Sequence, residues 1–394
     1  MKVLVLNSGS STIKYGLYEP PSEVPLAGGR IERIGENGTR LLQRDGTEER
    51  AAAIEAPDHA AGIAALLELL ATRGAPDVIG HRVAHGGTRF RSPARVTPEV
   101  LAAIAEMIPL APLHNPTNLA GIEAAMAACP GVPQVAVFDT AFHQSMPERA
   151  WRYAVPEAWY AQFGVRRYGF HGTSIQYVSR VAARCLEREL AALALVVLHL
   201  GNGASAAAVL AGRSADTSMG LSTLEGLVMG TRCGDLDPAI PGYMVRRAGM
   251  ELPEVERMLH EESGLQGLCG ASDMREVERG AAAGDARAEL ALEVFCYRAR
   301  KHVGALAAAL GRLDALVFTG GIGEHRAAVR ARICAGLDIL GVQLDTERNA
   351  TPGPLPAFVQ ARDSRVAVLV VATDEQLEIA RQAVECVGSE WGHS

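Results

Sequence analysis

Residues 2–19 read KVLVLNSGSSTIKYGLYE, and this stretch indicates the fold more clearly than any other. An apolar run ends at Asn7, a turn rich in serine and glycine follows, and an alternating pattern resumes at Ile13. Two short strand patterns around such a turn predict a β-hairpin. Residues 193–212, LALVVLHLGNGASAAAVLAG, repeat this plan later in the chain. We interpret the repeat as a weak internal duplication of two α/β halves.

The rest of the chain alternates between helical and strand patterns. Buried strands are predicted at residues 78–83, 134–138 and 366–371. Helices are predicted at residues 59–73, 115–129, 174–187, 285–310, 326–337 and 375–387. The pairs Asn115-Pro116 and Asp237-Pro238 predict capped helix starts with proline at the first helical position. Hairpins followed by this alternation predict sheets that are antiparallel at one edge and parallel beyond, flanked by helices.

Length and composition limit the class of protein. A chain of 394 residues exceeds the size at which one hydrophobic core usually stops growing, so two domains are expected. The net charge of −7 argues against general binding of nucleic acid or of anionic membranes. No apolar run approaches the roughly 20 residues of a membrane span, and residues 1–6 have the pattern of a strand, not of a signal peptide. Seven dispersed cysteines without a C-x-x-C pair fit a reducing cytosol.

Three turns rich in glycine each follow a predicted buried strand. They are residues 7–12, with Lys14 close behind, residues 199–203 and residues 320–324. Glycine lets the backbone approach an anion closely, and main-chain N–H groups, hydroxyls and a lysine suit phosphate. Each turn alone also fits an ordinary structural turn, and the first lacks the G-x-x-x-x-G-K pattern. Three of them in one chain predict a polyphosphate ligand, such as a nucleotide, held by two domains.

Four residues occupy positions that suit anion chemistry. Arg82 ends a strand beside a glycine pair, and Arg232 lies in a turn bounded by glycines, where a guanidinium can capture a carboxylate or phosphate. Asp139 ends a buried strand, where the ligand clefts of α/β sheets open. His171 lies in a turn flanked by glycines. Each also has a structural interpretation, as a salt-bridged loop arginine, a helix cap or a satisfied histidine.

The motifs, taken in order, resemble those of the acetate kinase family. They are NSGSSTIK (7–14), GHRVAHGG (80–87), LHNPTNL (113–119), FDTAFH (138–143), YGFHGTS (168–174), HLGNGAS (199–205), MGTRCGDLDP (229–238), ASDMR (271–275), FTGGIGEH (318–325) and TDEQ (373–376). The resemblance covers nearly the whole chain. It implies an α/β fold with two RNase H-like domains of the sugar kinase, heat-shock chaperone and actin superfamily, with mixed sheets flanked by helices around a central cleft. We expect an N-terminal domain at residues 1–147 with a returning C-terminal helix at 376–394, and a nucleotide-binding domain at 148–375.

The resemblance also implies a reaction. Members of the family transfer the γ-phosphoryl group of ATP to acetate, reversibly and by direct in-line transfer, which yields acetyl phosphate and ADP. They need Mg²⁺, with Mn²⁺ as an alternative. The resemblance further implies a cytoplasmic homodimer that binds a small carboxylate and an adenine nucleotide, and neither nucleic acid nor a membrane.

Residue roles carry over motif by motif. Asn7 and Glu375 are expected to hold the metal. The expected catalytic residues are Asp139, His171, Arg232 and Arg82. Arg82 is also expected to bind the carboxylate, in an acyl pocket formed with Ala84, Leu113, Phe170 and Thr223. The residues expected to hold the nucleotide are Lys14, His199, Leu200, Gly201, Asn202, Gly203, Asp273, Met274, Arg275, Gly321, Ile322, Gly323, Glu324 and His325. Since a carboxylate acceptor is already ionised at pH 7, Asp139 is expected to orient an arginine or metal-bound water and not to accept a proton.

Five positions depart from the family pattern. Ala84 stands where valine is usual, so the acyl pocket is expected to be wider and to accept propionate better than in a relative with valine. Thr223 stands where proline is usual, and the alternative is that its added polarity restricts this gain. Asp374 and His325 replace asparagines, and Cys233 replaces a serine. A propionate kinase of the same fold therefore stays open as an alternative. A nucleotide-driven binding module of the same superfamily, without catalysis, is the alternative of another class.

Overall fold

The computed structural model describes residues 1–45 and 48–391 of the chain. Over these residues the chain forms two compact units. The first comprises Met1–Gln144 and the segment that begins at Asp374, and the second comprises Ser145–Thr373. The domain boundaries expected at 147/148 and 375/376 stay a prediction, and residues 392–394 of the expected C-terminal helix lie outside the described residues.

The strands, in chain order, are β1 Val3–Ser8, β2 Thr12–Tyr18, β3 Ala27–Glu32, β4 Arg40–Asp45, β5 Glu48–Ala53, β6 Val78–Val83, β7 Ala94–Arg95, β8 Gln134–Phe138, β9 Ala194–Leu200, β10 Ala204–Leu210, β11 Arg213–Thr217, β12 Ala315–Thr319, β13 Ala357–Phe358 and β14 Ala367–Val370. The α-helices are α1 His59–Leu70, α2 Pro98–Glu106, α3 Asn115–Ala128, α4 Glu148–Trp151, α5 Glu157–Phe163, α6 Gly172–Cys185, α7 Ile240–Ala248, α8 Leu252–Glu261, α9 Gly264–Cys269, α10 Met274–Ala282, α11 Ala286–Leu310, α12 Gly320–His325, α13 Ala327–Cys334, α14 Thr346–Ala350 and α15 Glu375–Trp391.

The first unit contains a mixed sheet in the order β5-β4-β3-β2-β1-β6-β8-β7. β1 and β2 form the predicted hairpin, in which Asn7 lies opposite Lys14. β1, β6 and β8 run parallel, so their carboxyl ends meet at the same edge of the sheet. The apolar residues 3–6 of β1 are buried, as expected for a central strand that is covered on both faces. The C-terminal helix α15 packs against β1, β6 and β8.

The second unit repeats this plan in a sheet of order β11-β10-β9-β12-β14-β13. β9 and β10 form the second predicted hairpin, and β9, β12 and β14 run parallel. Its core contains Val196 and Leu198 of β9, Phe318 of β12, and Phe295 and Val303 of the long helix α11. The predicted fold class, α/β with two mixed sheets flanked by helices, is therefore confirmed. Among the described helices, none is both long and apolar enough to cross a membrane.

Three local predictions are corrected by the structure. Asn115 is not a helix cap, because α3 begins at Asn115 itself and the buried Asn115 amide accepts from the His85 N–H and donates to the His85 carbonyl. Asp237 accepts from the Ala239 N–H ahead of α7, which begins only at Ile240. The helix predicted at 326–337 is shorter in the structure: α13 spans Ala327–Cys334, and the third glycine turn before it forms the separate short helix α12.

Candidate active site

Arg82 is the centre of a polar cluster in the first unit. Its Nε and Nη2 donate to Oδ1 and Oδ2 of Asp139 at 3.1 and 2.5 Å. Its Nη1 lies 3.4 Å from Oδ1 of Asn7, and its Nε lies 3.8 Å from Oε2 of Glu375. The structure thus brings together four predicted site residues that lie far apart in the sequence.

The parallel strands explain this convergence. Asn7 lies near the end of β1, Arg82 near the end of β6, and Asp139 directly after β8. Glu375 is the first residue of α15, which packs against these strands. Ligands of open α/β sheets bind at the carboxyl ends of the strands, so the cluster lies where such a site is expected.

The charges of the cluster are strongly coupled. Burial alone would lower the pKa of Arg82, but the carboxylates of Asp139 and Glu375 raise it above its ordinary value, so the guanidinium stays charged. Asp139 is only 1% exposed. A buried carboxylate needs such a partner, because desolvation of an unpaired charge is costly. Arg82 and Asp139 therefore hold each other in place.

The oxygen donors of this cluster fit a divalent cation such as Mg²⁺. The Asn7 amide oxygen and the Glu375 carboxylate both lie against the same guanidinium. Mg²⁺ prefers oxygen ligands, and proteins usually hold it with one or two carboxylates, water and substrate phosphates. Within residues 1–45 and 48–391, no group of three or more His, Cys, Asp or Glu side chains is arranged to hold a metal ion. The two protein oxygens therefore suit an ion whose remaining ligands are water and oxygens of the substrate.

His171 lies at the N-terminal end of α6 in the second unit. Its φ of 58° is in the left-handed region, which residues other than glycine rarely adopt. Its Nδ1 lies 2.9 Å from Ser205 Oγ, and its ring stacks on that of His199 with the centroids 4.3 Å apart. His199 Nδ1 in turn lies 2.8 Å from Ser174 Oγ. Backbone strain of this kind concentrates at functional sites, where the surrounding contacts hold it in place.

Arg232 approaches the same point as His171, above the turn of residues 201–203. A Cβ placed on Gly203 would lie 3.6 Å from His171 Nε2, and 3.6 and 3.7 Å from Nη1 and Nη2 of Arg232. Arg232 Nη1 donates to the Thr223 carbonyl at 3.1 Å, and no carboxylate in the described part of the chain pairs with it. Burial lowers the pKa of Arg232. Binding of an anion would therefore stabilise the charged form of this guanidinium.

An open cavity of about 500 Å³ borders the same turn. This volume lies within the range of small-molecule sites. The residues around it come from three segments of the second unit: Gly201, Asn202, Ser272, Asp273, Met274, Arg275, Gly321, Ile322, His325 and Arg326. Eight residues of the predicted nucleotide set therefore border one cavity.

The turn that carries Gly321 and Ile322 is held by a buried arginine. Arg330 is 1% exposed and donates to the carbonyls of Gly323 and Glu324, both at 2.9 Å. Glu324 Oε1 accepts from the Gly320 N–H at 3.0 Å. Gly320 has a φ of 76° and lies against the backbone of Leu200, which leaves no room for a side chain. The turn is thus fixed on the side away from the cavity.

The other predicted nucleotide residues lie elsewhere. His199 and Leu200 belong to β9, where Leu200 is buried in the core. Gly203 lies below His171 and Arg232, and Gly323 and Glu324 support the α12 turn as described above. Lys14 is exposed on β2 of the first unit. A role for these residues in nucleotide binding stays a prediction.

The residues of the predicted acyl pocket are distributed over both units. Ala84 is buried in the first unit, two residues after Arg82, and its N–H donates to Asn118 Oδ1 at 3.0 Å. Leu113 of the same unit is 60% exposed. In the second unit Phe170 is buried in the core, and Thr223 offers its carbonyl to Arg232. That they form one pocket stays a prediction.

Two cavity residues, Ser272 and Arg326, were not among the predicted site residues. Ser272 lies inside the ASDMR motif and Arg326 directly follows GGIGEH. Extension of the glycine-turn argument by one residue at each motif would have included both. Neither the serine nor the arginine belongs to a residue pattern that would by itself predict a binding site.

Two departures from the family pattern have a structural role here. Burial raises the pKa of the Cys233 thiol to about 11, and its Sγ donates to the Gly234 carbonyl at 3.1 Å. The thiol is therefore protonated and weakly nucleophilic at neutral pH. Asp374 accepts from the Leu377 N–H at 2.8 Å, so it caps the first turn of α15 directly before Glu375.

An α/β protein in which glycine turns border a cavity, and in which a half-buried guanidinium has no carboxylate partner among the described residues, fits the class of nucleotide-dependent phosphotransferases. The sequence model of the Acetokinase family matches residues 2–381. The chain belongs to this family.

Individual relatives are similar over their full length. The acetate kinase of Syntrophobacter fumaroxidans is 52% identical over 98% of this chain and 97% of its own. That of Thermotoga maritima is 49% identical, over 98% and 99%. Among solved structures, the acetate kinase of Porphyromonas gingivalis has a TM-score of 0.92 at 40% identity and covers 98% of this chain and 99% of its own. A propionate kinase from Francisella tularensis matches with the same four values.

Proposed function

We propose that this protein transfers the γ-phosphoryl group of ATP to the carboxylate of acetate, reversibly, with acetyl phosphate and ADP as products. Membership of the acetokinase family supports this activity. The observation that carries the assignment of the site is the convergence of His171 Nε2 and both terminal nitrogens of Arg232 above Gly203, which belongs to the same turn as the cavity residues Gly201 and Asn202. Such a group of donors suits the negative charge of a phosphoryl group in transfer.

The nucleotide binds in the cavity of the second unit. The main-chain N–H groups of Asn202, Gly321 and Ile322, which border the cavity, provide donors for phosphate oxygens, and the glycines there allow close approach. Asp273 and Arg275, which pair with each other at 2.5 Å, line another side of the cavity. These residues supply polar groups for the remainder of the nucleotide.

The carboxylate of acetate binds to Arg82. Two of the three guanidinium nitrogens are engaged with Asp139, whereas the one contact of Nη1 within the described part of the chain is the long 3.4 Å contact with Asn7. Nη1 is therefore the nitrogen best able to receive a second anion. Asp139 sets the plane of the guanidinium and acts as a positioning residue, because an ionised acceptor needs no general base.

Asn7 and Glu375 hold Mg²⁺, or Mn²⁺ in its place. When bound, the ion neutralises phosphate charge and so lowers the repulsion between the two anionic reactants. Arg232 and His171 stabilise the three equatorial oxygens of the transferred group, since both place side-chain nitrogens near one point. Transfer is direct and in line, with the acetate oxygen as nucleophile and ADP as leaving group.

We also propose that the protein is a cytoplasmic homodimer. The free state of all seven cysteines is compatible with a reducing compartment. Trp159 and Phe163 of α5 and Tyr243 of α7 are 50%, 69% and 55% exposed. Large apolar side chains at such exposure fit a contact between two copies of the chain. Light scattering tests this state.

The direct test is an assay in which hydroxylamine traps acyl phosphate formed from ATP, Mg²⁺ and a panel of formate, acetate, propionate and butyrate. We expect product with acetate and loss of at least a hundredfold in turnover for Arg82→Ala and for Arg232→Ala. Unchanged product formation by both variants would refute the assigned site. Absence of any acyl phosphate from the wild type would refute the activity and favour a nucleotide-driven binding module.

Propionate is the second candidate acceptor. The observation in its favour is Ala84, a small side chain two residues beyond the proposed carboxylate ligand Arg82. The similarity to the Francisella propionate kinase is as high as that to the Porphyromonas acetate kinase. The same carboxylate panel separates the two, through the ratio of kcat/KM for propionate and acetate.

A further inference from the structure

Among the described residues, the Thr223 carbonyl is the one oxygen that accepts from the Arg232 guanidinium. Within the described residues its guanidinium has no carboxylate partner, and Nη1 donates to the Thr223 carbonyl at 3.1 Å. Its other contact is with Met229 Sδ, at 3.6 Å from the same nitrogen. A cation with so few partners is located mainly by the backbone that carries Thr223.

Arg167 forms hydrogen bonds with the backbone shortly before Thr223. Its Nη1 donates to three consecutive carbonyls, those of Thr217 at 3.0 Å, Ser218 at 2.9 Å and Met219 at 3.1 Å. Its Nη2 donates to Oε1 of Glu225 at 2.6 Å. One guanidinium thus binds both ends of the segment 217–225. Thr223 therefore lies in a loop whose two ends are held together by Arg167.

Tyr153 forms hydrogen bonds with the middle and with the end of the same loop. Its hydroxyl hydrogen bonds to Oε2 of Glu225 and accepts from the Leu221 N–H at 3.0 Å. Burial raises the pKa of Tyr153, so the hydroxyl keeps its proton and donates to the carboxylate. Gly220 lies under the two side chains, and a Cβ at this position would overlap the Glu225 carboxylate. Glu225 therefore accepts from two partners, one on each oxygen.

We propose that Tyr153, Glu225 and Arg167 are positioning residues for phosphoryl transfer, which hold the Thr223 carbonyl and through it set the location of the Arg232 guanidinium. This inference rests on the proposed function of Arg232. The three side chains make a satisfied hydrogen-bonded network, which is more rigid than its separate bonds. A displacement of about 1 Å in a catalytic group can reduce turnover by roughly a hundredfold. The network therefore acts on kcat and not on nucleotide affinity.

The test uses Tyr153→Phe, which removes one hydroxyl and keeps the ring. We expect kcat to fall about tenfold or more, with KM for ATP unchanged and with the melting temperature within a few degrees of the wild type. Glu225→Gln, which keeps the shape but removes the charge opposite Arg167, is expected to show the same split between kcat and KM. The matched control is Tyr168→Phe, because the buried Tyr168 hydroxyl donates instead to the Gly164 carbonyl at 2.8 Å. This control is expected to keep the wild-type kcat.

A double-mutant cycle decides whether the network acts through Arg232. We expect Tyr153→Phe to reduce kcat in the wild-type background and to have little further effect in an Arg232→Lys background. If the two effects on kcat multiply, the network does not act through Arg232 and the inference is wrong. Wild-type kcat for Tyr153→Phe and Glu225→Gln would also overturn it. Wild-type kcat for Arg232→Lys and Arg232→Ala would instead refute the proposed function of Arg232, so the two failures are distinct.

Discussion

At the scale of single residues, the pairing of Arg82 with Asp139 is the most informative contact. The two hydrogen bonds fix the guanidinium plane. Because Asp139 is buried, water cannot readily replace either of these hydrogen bonds. We therefore predict that Asp139 is a positioning residue whose effect reaches the substrate through Arg82.

We expect Asp139→Asn to lower kcat at least a hundredfold and to raise KM for acetate, while KM for ATP stays within about twofold. The physical reason is that an amide can accept only one of the two N–H bonds that Arg82 donates and carries no charge. Steady-state kinetics with the hydroxylamine assay measures this. Asp285→Asn, at the exposed cap of α11, is the control that should retain activity. Turnover close to that of the wild type in Asp139→Asn would contradict the assigned role.

Ala84 is predicted to lie in the wall of the acyl pocket and to limit the length of the acceptor. Ala84→Val adds two methyl groups, and one methylene in a fitted apolar pocket is worth about 1–3 kcal/mol. We therefore expect the ratio of kcat/KM for propionate over acetate to fall about tenfold in this variant. An unchanged ratio would show that Ala84 does not contact the acyl chain.

At the scale of elements, two buried histidines in and just after β6 make the stability of the fold depend on pH. β6 carries His81, which is 2% exposed and lies 2.6 Å through Nε2 from Gln134 Oε1, and His85 follows it, fully buried. Burial lowers the pKa of both histidines to about 4. Both rings are therefore neutral in the folded protein at pH 7.

The sign of the pH dependence follows from this neutrality. The unfolded chain binds protons at His81 and His85 below about pH 6.5, whereas the folded protein does not until about pH 4. Stability is thus complete above pH 6.5 and is lost as the pH falls towards 4, by on the order of 1 kcal/mol per pH unit for each histidine. We expect His81→Gln to flatten the fall in melting temperature between pH 6.5 and 4.5. The half-buried His59 is the control, and an equally steep fall in His81→Gln would exclude His81 as its source.

At the scale of the whole molecule, the chain is discontinuous in one unit and continuous in the other. Ser145–Thr373 contains a complete mixed sheet, its own core and every residue that borders the cavity. Met1–Gln144 lacks α15, which packs on three strands of its sheet. The two pieces therefore differ in their ability to fold alone.

We expect a fragment of residues 145–373 to fold and to bind ATP, but to form no acyl phosphate because it lacks Arg82. A fragment of residues 1–144 should be unfolded or aggregated, since removal of α15 exposes the apolar faces of β1 and β6. Circular dichroism and calorimetric titration with ATP measure both outcomes. An unfolded 145–373 fragment, or a stable 1–144 fragment, would contradict this account.

The sequence alone determined the local structure. Both hairpins, the buried strands at 78–83 and 134–138 and the long helix before residue 310 follow from periodicity and turn residues, which act over a few positions. The glycine turns indicated a polyphosphate site for the same reason. Helix starts were less predictable: Asn115 has the residue type of a cap, but its amide is used by the distant His85 backbone.

Only the tertiary structure decided which distant residues meet. The cluster of Asn7, Arg82, Asp139 and Glu375 exists because β1, β6 and β8 are neighbours in the sheet and α15 returns to them, and strand order leaves no mark in local sequence. The contact of Tyr153 with Glu225 has the same origin, since the two residues lie 72 positions apart in the sequence. Local patterns specify elements, whereas chemistry here depends on side chains that packing brings within hydrogen-bond distance.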